Sequence, residues 1–205
     1  MRKSFVGYFN LWARAPPSAR APRVGHAPYA GRVQRTTVEG VRIAWARSAH
    51  GSRRETADAL VRALAGELAP GSDLRIERRC PVCGGPHGRP VLPFVPVHAS
   101  IAYADPWVVV AVAHAENTAE IGIDAERAGA RPDLAALFAP ADPPDLRGWT
   151  AIEAVLKADG RGLMVPPDEV RLFPGGTALG PDGTAYLVLS VVAAPGMVVS
   201  LALRS

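Results

Sequence analysis

Three acidic side chains and one lysine carry most of the chemistry in this sequence. Residues 121–126 read IGIDAE. As a strand of period two, this segment sends Gly122, Asp124 and Glu126 to one face and Ile121, Ile123 and Ala125 to a core. Two carboxylates on one face, beside a glycine that lets a ligand approach the backbone, suit a hard cation such as Mg²⁺. An amphipathic strand with a wet acidic face has the same pattern. Residues 149–163 read WTAIEAVLKADGRGL, a helix over 150–159 closed by Gly160. Trp149, Ile152, Val155 and Leu156 form its apolar stripe, and Glu153 and Lys157 stand one turn apart on the margin of that stripe. Both can reach a cleft while the helix stays packed. Thr150 with Glu153 also fits a capping box, and Glu153 with Lys157 a favourable i,i+4 pair, so Glu153 has a purely structural reading too. The chain holds 21 arginines and only two lysines, Lys3 and Lys157. A lysine in that company points to a job arginine does badly, such as giving up a proton.

The elements that must position these residues follow from periodicity. Alternation predicts strands over 41–46, 97–103, 107–113, 120–126, 169–173, 185–192 and 197–204. A helix is expected over 53–68, with Ser52 as its cap and Ala57, Leu60, Val61, Leu64 and Leu68 on one face; a short one is expected over 134–138. The order strand–helix–strands followed by strands–helix–strands predicts an α+β fold of two similar lobes, each a small antiparallel sheet packed on a long helix. The expected division is a basic, proline-rich extension with little regular structure over 1–38, an N-terminal lobe over 39–113 and a C-terminal lobe with the metal site over 114–205.

Composition narrows the function. With 48% hydrophobic and 20% charged residues, the 205-residue chain reads as a soluble globular protein. Residues 1–38 contain seven basic and no acidic residues, which leaves 16 basic against 19 acidic, or −3, in the remainder. A basic tail on a slightly acidic body argues against nucleic-acid binding by the folded part. No apolar run approaches the roughly 18 residues of a membrane span, and the N-terminus makes a poor signal peptide, so a cytoplasmic monomer is expected. Two cysteines exclude a disulfide framework. Cys80-x-x-Cys83 with His87 falls short of the four ligands tetrahedral zinc requires, with only a distant histidine such as His98 to complete the set, and reads as a tight loop.

Together the two acidic segments resemble the Sfp-type 4′-phosphopantetheinyl transferases, particularly the actinobacterial kind. The family's G-[IV]-D-x-E strand appears as Gly122-Ile123-Asp124-Ala125-Glu126. Its W-[ST]-x-K-E-A-x-x-K-A-x-G-x-G-L helix appears as the segment from Trp149 to Leu163, with Glu153, Ala154, Lys157, Ala158, Gly160, Gly162 and Leu163 in register. CPVCGGPHGRP (80–90) and the Arg53-Arg54 helix resemble further family segments. The resemblance covers about 41–204. It implies coenzyme A in a cleft between two α+β lobes, Mg²⁺ on Asp124, Glu126 and Glu153, and an acyl or peptidyl carrier protein as acceptor. It further implies Glu153 and Lys157 as catalytic groups, and Arg53, Arg54, Arg89 and Tyr103 near the substrate.

Four departures stand against this pattern. Ile152 replaces a lysine, and Ala102-Tyr103 replaces a Ser-His pair. A basic helix after the first strand is missing, and the interval 127–148, where the family docks its carrier, is short. These departures define the alternative: a degenerate or repurposed homologue that binds a coenzyme A-like ligand or a partner without transfer.

Overall fold

Residues 108–112 are apolar at every position, which a strand tolerates only when both of its faces are covered. The computed structural model, which describes residues 29–48, 52–80 and 83–204, shows that covering. The fold is α+β with two antiparallel sheets. The first contains β1 (Tyr29–Val38), β2 (Val41–Ser48), β3 (Val97–Ala104) and β4 (Trp107–His114), in the order β1-β2-β4-β3. The second contains β5 (Glu120–Arg127), β6 (Arg171–Phe173), β7 (Thr177–Leu179), β8 (Ala185–Ser190) and β9 (Met197–Arg204), in the order β5-β9-β8-β7-β6. Three helices accompany them: α1 (Arg53–Leu68), α2 (Ala135–Phe138) and α3 (Leu146–Asp159).

Side-chain alternation sorts the core into three parts. Val108, Val110 and Val112 of β4 join Leu60, Val61 and Leu64 of α1 on one face of the first sheet. Val109 and Ala111, on the opposite face, meet Ile121, Ile123 and Leu201 of the second sheet. The outer face of the second sheet then carries α3 through Ala154, Val155 and Ala202. The layers therefore run helix, sheet, sheet, helix. Each buried valine or leucine contributes on the order of 1.5–3 kcal/mol, so these layers are the main source of stability.

Several elements differ from the sequence expectation. Tyr29–Val38 forms a strand where little regular structure was expected; it pairs with β2 from Val38↔Val41 outward. The turn between them is Glu39-Gly40, both left-handed at φ 48 and 75, the signature of a two-residue hairpin loop. Arg35 and Arg42 of this hairpin both reach Glu67 of α1. Residues 1–28 of the expected extension lie outside the described residues. Strand β7 was not expected, and residues 167–169 form a 3₁₀ turn rather than the start of a strand. Helix α1 spans the expected residues, but the Ser52 side chain makes no cap bond. Helix α3 begins a turn before the expected start: Asp145 caps it, accepting from the Gly148 amide at 2.7 Å. Gly160 ends it in a left-handed conformation, φ 89, as expected.

Candidate metal centre

The earlier start of α3 removes the capping-box reading of Glu153. Thr150 is inside the helix, fully buried, with its hydroxyl 3.0 Å from the Arg147 carbonyl and 2.8 Å from Ser200 Oγ of β9. Glu153 is left to serve something other than the helix end.

What it faces is the even-numbered side of β5. Gly122 lies directly beneath α3: a Cβ built there would fall 2.0 Å from the Ala154 carbonyl oxygen and 2.5 Å from the Ala158 nitrogen. The missing side chain admits the helix backbone, not a ligand as expected. That close approach brings Glu153 to the level of Asp124 and Glu126, and carboxylate oxygens of all three lie within 4.8 Å of one another.

Lys157 closes the group on its inner side. Its Nζ donates to Asp124 Oδ1 at 2.6 Å, to the Ile123 carbonyl at 3.1 Å and, more weakly, to the Ile101 carbonyl at 3.4 Å. These carbonyls belong to β5 and β3, each the edge strand of its own sheet. The Ile123 amide, also turned outward, donates to Ser100 Oγ of β3 at 3.0 Å. Edge-strand groups with no ladder partner must be satisfied some other way, and here a lysine and a serine do it.

Charge in this group is held under tension. Burial, then the Asp124 charge, pushes the Glu153 carboxyl well above the usual glutamate range, with Lys157 only partly offsetting them. Burial and Asp124 also raise Glu126. Burial alone would lower Lys157, but Asp124, Glu153 and Glu126 outweigh it and hold the ammonium above its ordinary value. A lysine so held keeps its proton, which opposes the expected role as a proton donor. One oxygen of Asp124 is taken by Lys157, and the other, Oδ2, is buried without a hydrogen-bond partner. An orphaned buried carboxylate oxygen beside two further carboxylates is what a hard divalent cation satisfies, so the donor set fits Mg²⁺.

The remaining expected residues fall in two places. His98 lies near Glu120 and Ser100 near Ile123, so β3 and β5 advance side by side in one direction. Tyr103 instead turns to the α1 face of the first sheet, where it packs against the cluster that holds Leu60, Val61 and Leu64. Arg53, at the start of α1, stacks on the Tyr103 ring at 5.1 Å, and Arg54 beside it is exposed. Arg89 goes to the opposite end: it pairs with Glu120 at 2.5 Å and approaches Gly160. Glu120 precedes Asp124 by four strand residues, about 13 Å, so Arg89 does not join the three acids. Sequence reasoning missed Asp145, Ser100 and Ser200, which hold α3 and the seam without taking part in chemistry. A surface hollow lined by Thr177, Tyr186, Leu203 and Arg204 shares no residue with the acids.

No protein-family model matches this sequence, and no curated protein matches it. Among the described residues, no helix is long and apolar enough to cross a membrane.

Proposed function

We propose that this chain is a Mg²⁺-dependent 4′-phosphopantetheinyl transferase, moving the phosphopantetheine arm of coenzyme A to a serine of an acyl or peptidyl carrier protein. The observation that carries the reading is the meeting of Asp124, Glu126 and Glu153 within 4.8 Å, around an Asp124 oxygen that is buried and unpartnered. Support from sequence comes from the motif residues of β5 and α3, whose spacing resembles that family.

Asp124, Glu126 and Glu153 would hold a divalent ion, which would supply positive charge against the diphosphate of coenzyme A. The protein's own groups do the rest. Lys157 fixes the rotamer of Asp124 and keeps a positive charge at the floor of the site. Glu153 would accept the proton of the carrier serine. The serine oxygen forms its bond to the β-phosphorus as the bond to 3′,5′-adenosine diphosphate breaks. Arg53, exposed at the start of α1, would offer its guanidinium to a phosphate of coenzyme A.

The test is mass spectrometry of several apo carrier proteins after incubation with the protein, coenzyme A and Mg²⁺. Gain of one phosphopantetheine arm, abolished in Glu153→Gln, is expected. Carriers that stay unmodified while a known transferase modifies them would refute the proposal. The engagement of Arg89 by Glu120 favours one second reading, a protein that binds a coenzyme A-like ligand without transfer. Coenzyme A binding by calorimetry with no carrier modification would identify it.

A further inference from the structure

We propose that Cys80, Cys83 and His87 form a second metal centre, one that takes zinc and is independent of the acidic group. Sequence spacing alone leaves this trio short of a ligand, and the fold adds the convergence of the three side chains on one point. The two sulfurs and an imidazole nitrogen lie within 4.8 Å of one another, with Cys83 Sγ 3.0 Å from His87 Nε2. Around a tetrahedral zinc, sulfur and nitrogen ligands stand roughly 3.5–3.8 Å apart, given Zn–S and Zn–N bonds of about 2.3 and 2.0–2.1 Å. The three side chains are within a small rotation of that arrangement. No disulfide joins the two cysteines.

The loop backbone is built around the cluster. The Cys80 amide donates to the Gly85 carbonyl and the Gly84 amide to the Cys80 carbonyl, both at 2.9 Å. These bonds fold the chain back so that residues 80 and 83 face the same point. Gly84 and Gly88 are left-handed, φ 67 and 106, conformations that side chains rarely adopt. The Gly85 amide donates to Cys83 Sγ at 3.4 Å, a contact that helps fix where the sulfur points. A Cβ at Gly85 would sit 3.2 Å from both Cys83 Sγ and His87 Cδ2, so the glycine keeps the space beside sulfur and imidazole clear.

Two soft thiolates and an imidazole select zinc over Mg²⁺, while the carboxylate trio selects the reverse. Among the described residues no fourth His, Cys, Asp or Glu joins the group, so a solvent water would take the fourth position. Binding deprotonates both thiols, releasing two protons to solvent. The consequence for the fold is local. Arg89, two residues beyond His87, reaches across to Glu120 of β5, and a zinc clip would hold that arginine in place.

The experiment uses the full chain, purified under reductant without chelator, and cobalt(II) as spectroscopic probe. One equivalent of cobalt should give a sulfur-to-metal charge-transfer band with intense visible bands of tetrahedral geometry, both erased by one equivalent of zinc. His87→Ala and Cys83→Ser should weaken binding by more than the roughly 10–100-fold typical of losing an outer-shell partner. Asp124→Asn should leave the charge-transfer band intact, because carboxylates cannot produce it. Zinc should also protect both thiols of the unmutated protein from alkylation, a readout that stands even if a cysteine variant fails to fold. Absence of the band, or equal alkylation with and without zinc, would overturn the assignment, as would a Cys80–Cys83 disulfide forming equally fast in the presence of zinc.

Discussion

Lys157 Nζ lies 2.6 Å from Asp124 Oδ1, with the lysine side chain 16% exposed and the aspartate 6%. This single buried ion pair ties α3 to the edge strand it covers. Through the Ile101 carbonyl it also ties the second sheet to the first. Several substitutions separate its structural and chemical contributions.

Lys157→Met leaves Asp124 buried beside Glu153 without its cation. Breaking one partner of a buried pair costs about 3–5 kcal/mol, and urea denaturation should register a loss of that order. Lys157→Arg should not restore the native midpoint, because a planar guanidinium cannot meet three oxygens arranged around a point charge. Adding Asp124→Asn to Lys157→Met should recover part of the loss.

At a pH above the raised Glu153 value, Glu153→Gln removes one negative charge from a crowded site. The metal-free variant should therefore melt at a higher temperature than the metal-free parent, while losing the stabilisation that Mg²⁺ confers. For the parent, Mg²⁺ at a hundred times its dissociation constant should add about 2.7 kcal/mol. Differential scanning calorimetry with and without Mg²⁺ reads both effects.

The acidic group also sets a pH trend. Glu153 and Glu126 are raised in the folded protein, chiefly by burial, so between the unfolded and folded pKa values the native state binds more protons. Stability then falls as pH rises. The metal-free protein should lose stability from the ordinary glutamate range, about pH 4.3, upward through the raised values. Mg²⁺ should flatten that slope, since it replaces the protons. Melting curves across pH, with and without Mg²⁺, would show a steeper decline in the metal-free series if this holds.

Gly122→Ala is the cheapest way to displace the helix. Its Cβ would collide with backbone atoms of Ala154 and Ala158, which cannot rotate away, so α3 must move. A cost at or above the 1–3 kcal/mol typical of overpacking is expected, together with loss of Mg²⁺ stabilisation as Glu153 leaves the other acids. Alanine at Gly129, which has open space around it but a left-handed backbone, should cost stability while leaving Mg²⁺ binding intact.

The acids were legible in part: the strand period puts Asp124 and Glu126 on one face and the helix period puts Glu153 beside an apolar stripe, while the meeting of the two faces came only from the family resemblance. The purpose of Gly122 was not, since a missing Cβ serves a ligand and a packed helix equally well in sequence. The start of α3 was obscured by Pro143-Pro144, which read as loop, although Asp145 directly after them is the cap. Strand β1 was missed because an edge strand exposes polar residues such as Arg32 and Arg35. The Glu39-Gly40 dipeptide between Val38 and Val41 was the signal that could have found it. The convergence of Cys80, Cys83 and His87 depended on glycine turns whose direction spacing does not encode.

The contacts between β3 and β5 have a further consequence. No strand ladder joins these two edges; an ammonium and a hydroxyl span the gap, and both can be broken singly. Behind these bridges the two sheets share one buried core through Val109, Ala111, Ile121 and Leu201, so the loss of either bridge would leave the sheets packed.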